Sequence, residues 1–399
     1  MLNLSIPEHV EPIRQRVLAF IESEIYPVER ELLEDKVNSR RGETLKKLMA
    51  KAKSEGLWAL GHPEEIGGGG LPFMDYVFVN EVIGRSEIAM VALGTHSLQD
   101  SIMLHRYANT EWRDRYLEPL VSGEVFPSFG MTEPDVAGSD PTKLQTHATL
   151  DGDEWVIKGK KWFTSGAANA AYTTVMVRTE PDAPDHSAFS MIVVPTETPG
   201  YNIIRDVKVM GQADGHYEVV YDNVRVPKEN LLGPRGHGFK IAQQRLGPGR
   251  IFHCMRWLGQ AQRAFDLMCN RANNRVAFGK NLGEHQQIQK FIFDTAAEIQ
   301  ASRLLTLHAA QKIDQGDEAR VEIGLIKVFG AKMLHNSIDR AIQVHGALGV
   351  TEDTPLERMY RHARYARIYD GADEVHVMNT ARRILRVYEG GSTFDFGLR

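Results

Sequence analysis

The sequence predicts an α+β fold in three successive parts: an N-terminal α-helical domain over residues 1–127, a middle antiparallel β domain over 128–236 and a C-terminal four-helix bundle over 237–399. Three observations carry this reading. Apolar residues recur at helical spacing in the first and last parts. The middle part instead holds short β-branched runs separated by turn formers. A chain of 399 residues, at roughly 150 per domain, has room for two or three cores.

In the first part Val10, Ile13, Val17, Phe20, Ile21 and Ile25 keep a helical period, and Pro27-Val28 is expected to end that helix. A second helix is expected over 44–52. Between Pro63 and Pro72 four successive glycines, 67–70, make a loop, because glycine loses the most backbone freedom in a helix. Helical spacing resumes over 75–106. In the middle part the strand candidates are Trp155-Val156-Ile157, residues 172–177, residues 189–194 and Glu218-Val219-Val220-Tyr221. Asp151-Gly152, Pro184, Pro199-Gly200, Asp222-Asn223 and Pro227 punctuate them. The last part carries four long helical stretches with few breakers, 239–272, 284–313, 319–346 and 373–388, which is the content of a bundle.

Composition narrows the function. Hydrophobic residues at 42% and charged residues at 25% exclude a disordered or collagen-like chain. A net charge of −5 argues against a dedicated binder of nucleic acid or of an anionic membrane surface. Cys254 and Cys269, outside any CxxC pattern, exclude a disulfide framework and a cysteine zinc site and fit a reducing compartment. The N-terminus runs into an amphipathic segment with no signal or transit pattern, and the longest apolar runs fall far short of the ~20 residues of a membrane span. A cytoplasmic protein is expected. No HExxH, clustered His/Cys set or GxSxG is present, so no metal site is expected. No GxGxxG follows a strand, and no P-loop Lys follows the glycine run. An enzyme of this sequence would use an organic cofactor in another frame, or acid–base chemistry alone.

Two segments carry candidate chemistry. Phe129-Gly130-Met131-Thr132-Glu133-Pro134-Asp135-Val136-Ala137-Gly138-Ser139-Asp140 combines small residues, backbone amides and hydroxyls, which suit a phosphate or a polar ring edge. A plain domain-boundary loop has the same composition. Lys160-Lys161-Trp162-Phe163-Thr164-Ser165-Gly166 places a Trp near a Thr after a strand, and a strand Trp also serves in a core.

Taken together, these segments resemble the acyl-CoA dehydrogenase family. Thr132 to Asp140 matches its Thr-Glu-Pro…Gly-Ser-Asp motif, and Trp162 with Thr164 its Trp-x-Thr pair. Three more motifs follow in order: Arg275-Val276-Ala277-Phe278-Gly279-Lys280 with Glu284-His285-Gln286, then Gln343-Val344-His345-Gly346-Ala347-Leu348-Gly349, then Tyr369-Asp370-Gly371-Ala372. The family's helical, β and four-helix domains match the three parts over essentially the whole chain.

The resemblance implies FAD as cofactor. Phe129, Met131 and Thr132 would line the isoalloxazine edge, and Gly138 and Ser139 would lie near the cofactor–thioester junction, Ser139 serving the substrate as well. Trp162 would shield one flavin face, and Thr164 would bond near N5. Arg275, Phe278, His285 and Gln286, with Gln343 and Ala347, would reach a neighbouring subunit's FAD, Arg275 being suited to the pyrophosphate by its planar fork. Ala372 and Glu374 complete the cofactor set, and Arg250 and Gly371 belong to the acyl-CoA side. The implied partners are an electron-transfer flavoprotein and further copies of the chain, as a homodimer or homotetramer. The implied role is fatty-acid β-oxidation.

The implied reaction is α,β-desaturation of a thioester. One base removes the α-proton while the β-hydride leaves for flavin N5. A ribityl hydroxyl and the base's own backbone N–H would polarise the carbonyl. The base position carries Asp370 where the family usually has Glu. A free Asp titrates near 3.9, so burial would have to raise it toward working pH. A helix N-cap aspartate is the plainer reading of the same residue. Asp is also one methylene shorter than Glu, and a displacement of about 1 Å can cost on the order of 100-fold in rate if uncompensated. Gly249 occupies the position of the base used by some family members and cannot serve. Gly247 replaces a common Asp, Ala347 replaces a Gly, and Asp135-Val136-Ala137 is one residue longer than usual. These departures point to a divergent branch with an Asp base. The alternatives are an acyl-CoA oxidase, a nitroalkane oxidase, which has an Arg seven residues past its Asp where this chain has Val377, and a DNA-associated relative. For the last, Arg358, Arg361, Arg364 and Arg367 form a basic ridge, whose simpler reading is a solvated or interfacial helix face.

Overall fold

The structure, a computed structural model, describes residues 5–34 and 42–396. The first four residues, on which part of the N-terminal reading rests, lie outside that range. The chain forms two compact units. A helical unit comprises Met1–Pro27, Pro72–Ala89 and Gly247–Arg399, and a sheet unit comprises Val28–Leu71 and Met90–Leu246. The N-terminal helical part thus contributes to both.

The early helices are α1 (Glu11–Phe20), α2 (Tyr26–Glu34), α3 (Glu43–Ser54), α4 (Phe73–Ile83) and α5 (Leu98–Tyr107), with shorter helical turns between them. Pro27 does not end the first helix. A π-helical turn, Ile21–Ile25, joins α1 to α2 without a break, and this wider turn, in which the Tyr26 N–H donates to the Ile21 carbonyl, admits Pro27 as the second residue of α2. The helical spacing read over 75–106 is divided, with breaks at Gly84 and at Gly94, which is left-handed at φ +70°. Gly84 has a packing reason: a Cβ there would lie 2.3 Å from the Arg256 Cα, so α4 meets the later long helix backbone to backbone. Asn80 pins the same contact by donating to the Phe252 carbonyl at 2.9 Å.

The later helices are α6 (Gly238–Asn274), α7 (Gln286–Asp314), α8 (Arg320–His345), α9 (Leu356–Ala366) and α10 (Asp373–Glu389). Four of them match the four expected stretches, and α9 carries most of the arginine ridge. The division between the units falls within α6, between Leu246 and Gly247, at the breakers Gly247-Pro248-Gly249.

The sheet unit holds β1 (Phe126–Gly130), β2 (His147–Asp151), β3 (Glu154–Ser165), β4 (Ala170–Arg178), β5 (Phe189–Pro195), β6 (Tyr201–Asp206), β7 (His216–Pro227) and β8 (Leu231–Leu232) in the order β6-β7-β3-β2-β4-β5-β8, with β1 against β4. Most pairings are antiparallel as expected, but β1 and β2 each meet β4 in parallel. Alternation and turn signals report that a strand exists, not its direction. A parallel partner needs a long connection, and the chain between β1 and β4 supplies one by forming the β2–β3 hairpin. β4 and β5 are buried almost without alternation because both their faces are covered. Tyr172, Met176, Met191 and Val193 pack with Met103, Leu104 and Trp112 on one side. Val175, Val177, Ile192 and Val194 pack with Ile157, Val219 and Tyr221 on the other.

Candidate active site

The expected site residues fall into separate sets, one in the sheet unit and two in the helical unit. In the sheet unit, β3 carries a one-residue bulge. Lys161 pairs with Val219 and Thr164 with Tyr217, so three steps on β3 oppose two on β7. Phe163 takes the strain at φ +50° and turns outward. The Trp162 backbone N–H leaves the ladder and donates to the Thr132 carbonyl at 3.0 Å, which fastens the bulge to the 129–140 loop. A buried ion pair holds that loop from beneath. Lys161 Nζ donates to Glu133 Oε1 at 2.8 Å and to the Met131 carbonyl at 2.9 Å. Glu133 also accepts from the amides of Gln145 and Thr146. Burial pulls the Lys161 ammonium down to about 8 against the attraction of Glu133. For Glu133, burial pushes the other way but is outweighed by Lys161 and the amide bonds, so the carboxyl sits below its usual range. Both partners are therefore charged at neutral pH.

The structure brings Phe129, Met131, Thr132, Trp162 and Thr164 together around this bulge, while Gly138 and Ser139 follow on the exposed part of the loop. A Cβ at Gly138 would lie 3.2 Å from Thr132 Cγ2. The Arg245 guanidinium rests on the Phe129 ring, 4.5 Å from its centroid. Two polar atoms here, Trp162 Nε1 and Thr164 Oγ1, are buried and find no hydrogen-bond partner among the described residues. Native proteins rarely leave such groups orphaned, so each points to a missing acceptor or donor. A polar ring edge of the kind the resemblance implies fits both.

In the helical unit the centre is Asp370, left-handed at φ +53° and followed by Gly371 at φ +103°. Its backbone carbonyl accepts from Arg250 Nε at 3.1 Å and from His376 Nε2 at 3.1 Å. Gly371 cannot be replaced without movement, since a Cβ would come 2.5 Å from His376 Nε2. Lys327, fully buried on α8, donates to the carbonyls of Ala366 and Gly371 at 2.8 and 3.1 Å. The Asp370 carboxylate meets His253 Nε2 at 2.9 Å, and His253 Nδ1 meets Arg256 at 2.9 Å. Arg250 and Gly371 thus lie with Asp370. His253, Arg256, Lys327 and His376 were not anticipated. Their only trace in the sequence is helical spacing: His253 and Arg256 follow Arg250 at three-residue steps along one face of α6.

The remaining expected cofactor residues also belong to the helical unit. Arg275 precedes a two-stranded turn, β9 (Val276–Ala277) and β10 (Lys280–Asn281), that carries Phe278 at its tip with 97% of its surface exposed. His285 Nε2 donates to the Ala277 carbonyl at 3.3 Å and faces the Phe278 ring edge-on. Gln286 opens α7 and is exposed. Gln343 lies in the last turn of α8 and Ala347 just beyond its end, both exposed. Ala372 is the N-cap of α10, and Glu374 lies exposed in its first turn. The arginine ridge is largely engaged by carboxylates: Arg358 with Glu87, Arg361 with Glu357 and Arg367 with Asp373.

Comparison with known proteins decides the family. The N-terminal, middle and C-terminal domains of the acyl-CoA dehydrogenases match residues 7–124, 128–224 and 236–385. The chain belongs to the acyl-CoA dehydrogenase family. Family members are oxidoreductases, and this chain is one by that membership. It is 47% identical over 347 residues to the Mycobacterium tuberculosis protein provisionally named acyl-CoA dehydrogenase FadE2, covering 85% of this chain and 84% of that one. It is 40% identical over 394 residues to acyl-CoA dehydrogenase family member 11 of Rattus norvegicus, covering 94% of this chain but about half, 50%, of that relative's length. Among solved structures, a Mycobacterium abscessus chain provisionally named an acyl-CoA dehydrogenase superposes with a TM-score of 0.91 at 37% identity, covering 96% of this chain and 100% of that one. As an acyl-CoA dehydrogenase the chain has the three-part α+β fold read from its sequence. No helix among the described residues is long and apolar enough to cross a membrane.

Proposed function

We propose that the chain is an FAD-dependent acyl-CoA dehydrogenase in which Asp370 abstracts the α-proton of an acyl-CoA thioester. The observation that carries this reading is the Asp370 turn. A carboxylate sits on a left-handed corner whose carbonyl is gripped by Arg250 and His376, and whose carboxylate oxygen is met by His253. A solvated N-cap aspartate needs none of this. FAD, when bound, would supply the acceptor for the β-hydride.

The chain's own residues do the rest. Asp370 takes the proton at its carboxylate. Arg250, by fixing the Asp370 carbonyl, sets where that carboxylate points. Trp162 and Thr164 would offer their buried N–H and hydroxyl to the ring system, and the Glu133–Lys161 pair keeps the loop beneath in register. Phe129, Met131, Thr132, Gly138 and Ser139 would complete that wall. The exposed Phe278 with Arg275, His285, Gln286, Gln343, Ala347, Ala372 and Glu374 fits a surface offered to another copy of the chain, since Phe278 and Val276 expose two large apolar side chains on one turn. A homo-oligomer, a cytoplasmic location, electron transfer to an electron-transfer flavoprotein, a role in β-oxidation and a domain division at 127/128 and 236/237 go with the reading.

The experiment is aerobic and anaerobic turnover with a series of acyl-CoAs, followed by mass spectrometry. Loss of two hydrogens to a 2-enoyl thioester, with an electron-transfer flavoprotein or a dye as acceptor and no peroxide, is the expected result. Peroxide formed in step with product would make it an oxidase, and no loss of hydrogens from any thioester would refute the reading.

A further inference from the structure

We propose that His253 is a positioning residue for Asp370, holding its carboxylate through Nε2–H in a tautomer that Arg256 sets. The proposal rests on the reading of Asp370 as the base. Its evidence is the hydrogen-bond logic of three side chains. A guanidinium has donors only, so the contact between Arg256 Nη2 and His253 Nδ1, 2.9 Å, requires a lone pair on Nδ1. The single ring hydrogen is then on Nε2, which faces Asp370 Oδ2 at 2.9 Å. An imidazolium would set two donors against each other at Nδ1.

The surroundings agree. The charged and titratable groups facing the ring are Arg256 on its own helix, Lys327 on α8, and Tyr369 and Asp370 on the turn. Burial, and then the Arg256 charge, hold the imidazole below its usual value against the pull of Asp370. The ring is also fixed sideways. Its centroid lies 5.1 Å from that of Tyr369 and 6.1 Å from that of Trp257, and Trp257 Nε1 donates to the Tyr369 hydroxyl at 2.8 Å. A neutral donor held this way selects one carboxylate rotamer and favours the ionised form of the acid it touches.

The test is the pH dependence of flavin reduction by an acyl-CoA in stopped flow, on FAD-loaded wild type, H253L, H253Q, H253N and D370N. In H253L the acidic limb should move up by about one pH unit, with the rate on that limb falling about tenfold while FAD content and KM stay within about twofold. H253Q places an amide N–H near the reach of Nε2 and should keep the wild-type limb. H253N, whose amide ends near Nδ1, should behave as H253L does. An unmoved limb in H253L with only a lower melting temperature overturns the proposal, and so does a common limb for H253Q and H253N should H253L fail to fold. D370N separates the two readings. If D370N is reduced at the wild-type rate, the base assignment fails, whereas an inactive D370N beside an unmoved H253L limb overturns the positioning role alone.

Discussion

Two successive left-handed residues make the Asp370 corner, and each has its own reason. Asp and Asn are enriched in that backbone region because their short polar side chains tolerate it, so the turn accommodates Asp more readily than a longer acid. Gly371 is required on steric grounds. Gly371→Ala should cost on the order of 1–3 kcal/mol, lower the melting temperature and slow flavin reduction more than it weakens FAD binding, because the displaced group is His376, which bonds the Asp370 carbonyl. A variant with wild-type reduction kinetics would show that the corner does not position the acid. His376 adds a pH dependence. Burial pulls it down to about 4 from an ordinary value near 6.5. A folded-state value below the unfolded one means that its contribution, on the order of 3 kcal/mol, is fully present above about pH 6.5 and is lost as pH falls toward 4. Melting temperature should drop more steeply over that window in wild type than in His376→Gln. Parallel curves would count against it.

Among the elements, the β3 bulge and the 129–140 loop form one device, joined by Trp162 N–H to the Thr132 carbonyl and by the Glu133–Lys161 pair. Lys161→Met would leave Glu133 buried without its counter-charge, a loss of about 3–5 kcal/mol, and would release the Met131 carbonyl. The expected outcome is a large fall in melting temperature together with loss of FAD on purification. Retained FAD at normal stability would mean that the pair does not organise the loop. The sequence showed Trp162 and Thr164 as a motif but not the bulge that presents them, because a bulge depends on register with β7, which lies far along the chain. For the same reason Lys161 passed unnoticed as one of two adjacent lysines. Alternation puts Lys160 and Lys161 on opposite faces of β3, and which one is buried was decided by the distant 129–140 loop covering the Lys161 face.

At the scale of the whole molecule, periodicity and turn chemistry sufficed for the α+β class and for the long helices, since both are local signals. They did not show that the N-terminal helices divide between two units, or that β1 and β2 run parallel to β4. Those are decided by contacts between distant segments. The candidate base, Asp370, was proposed from the resemblance of the Tyr369-Asp370-Gly371-Ala372 motif. The group around it was not, because His253, Arg256, Lys327 and His376 come from three helices and share no motif. The proposed chemistry needs one acid, at Asp370. Anaerobic titration of FAD-loaded wild type and Asp370→Asn with acyl-CoAs of graded length tests that claim most directly. At least one thioester should bleach the wild-type flavin while the variant, holding FAD equally well, stays oxidised with all of them; a variant bleached at the wild-type rate would remove Asp370 from the role of base.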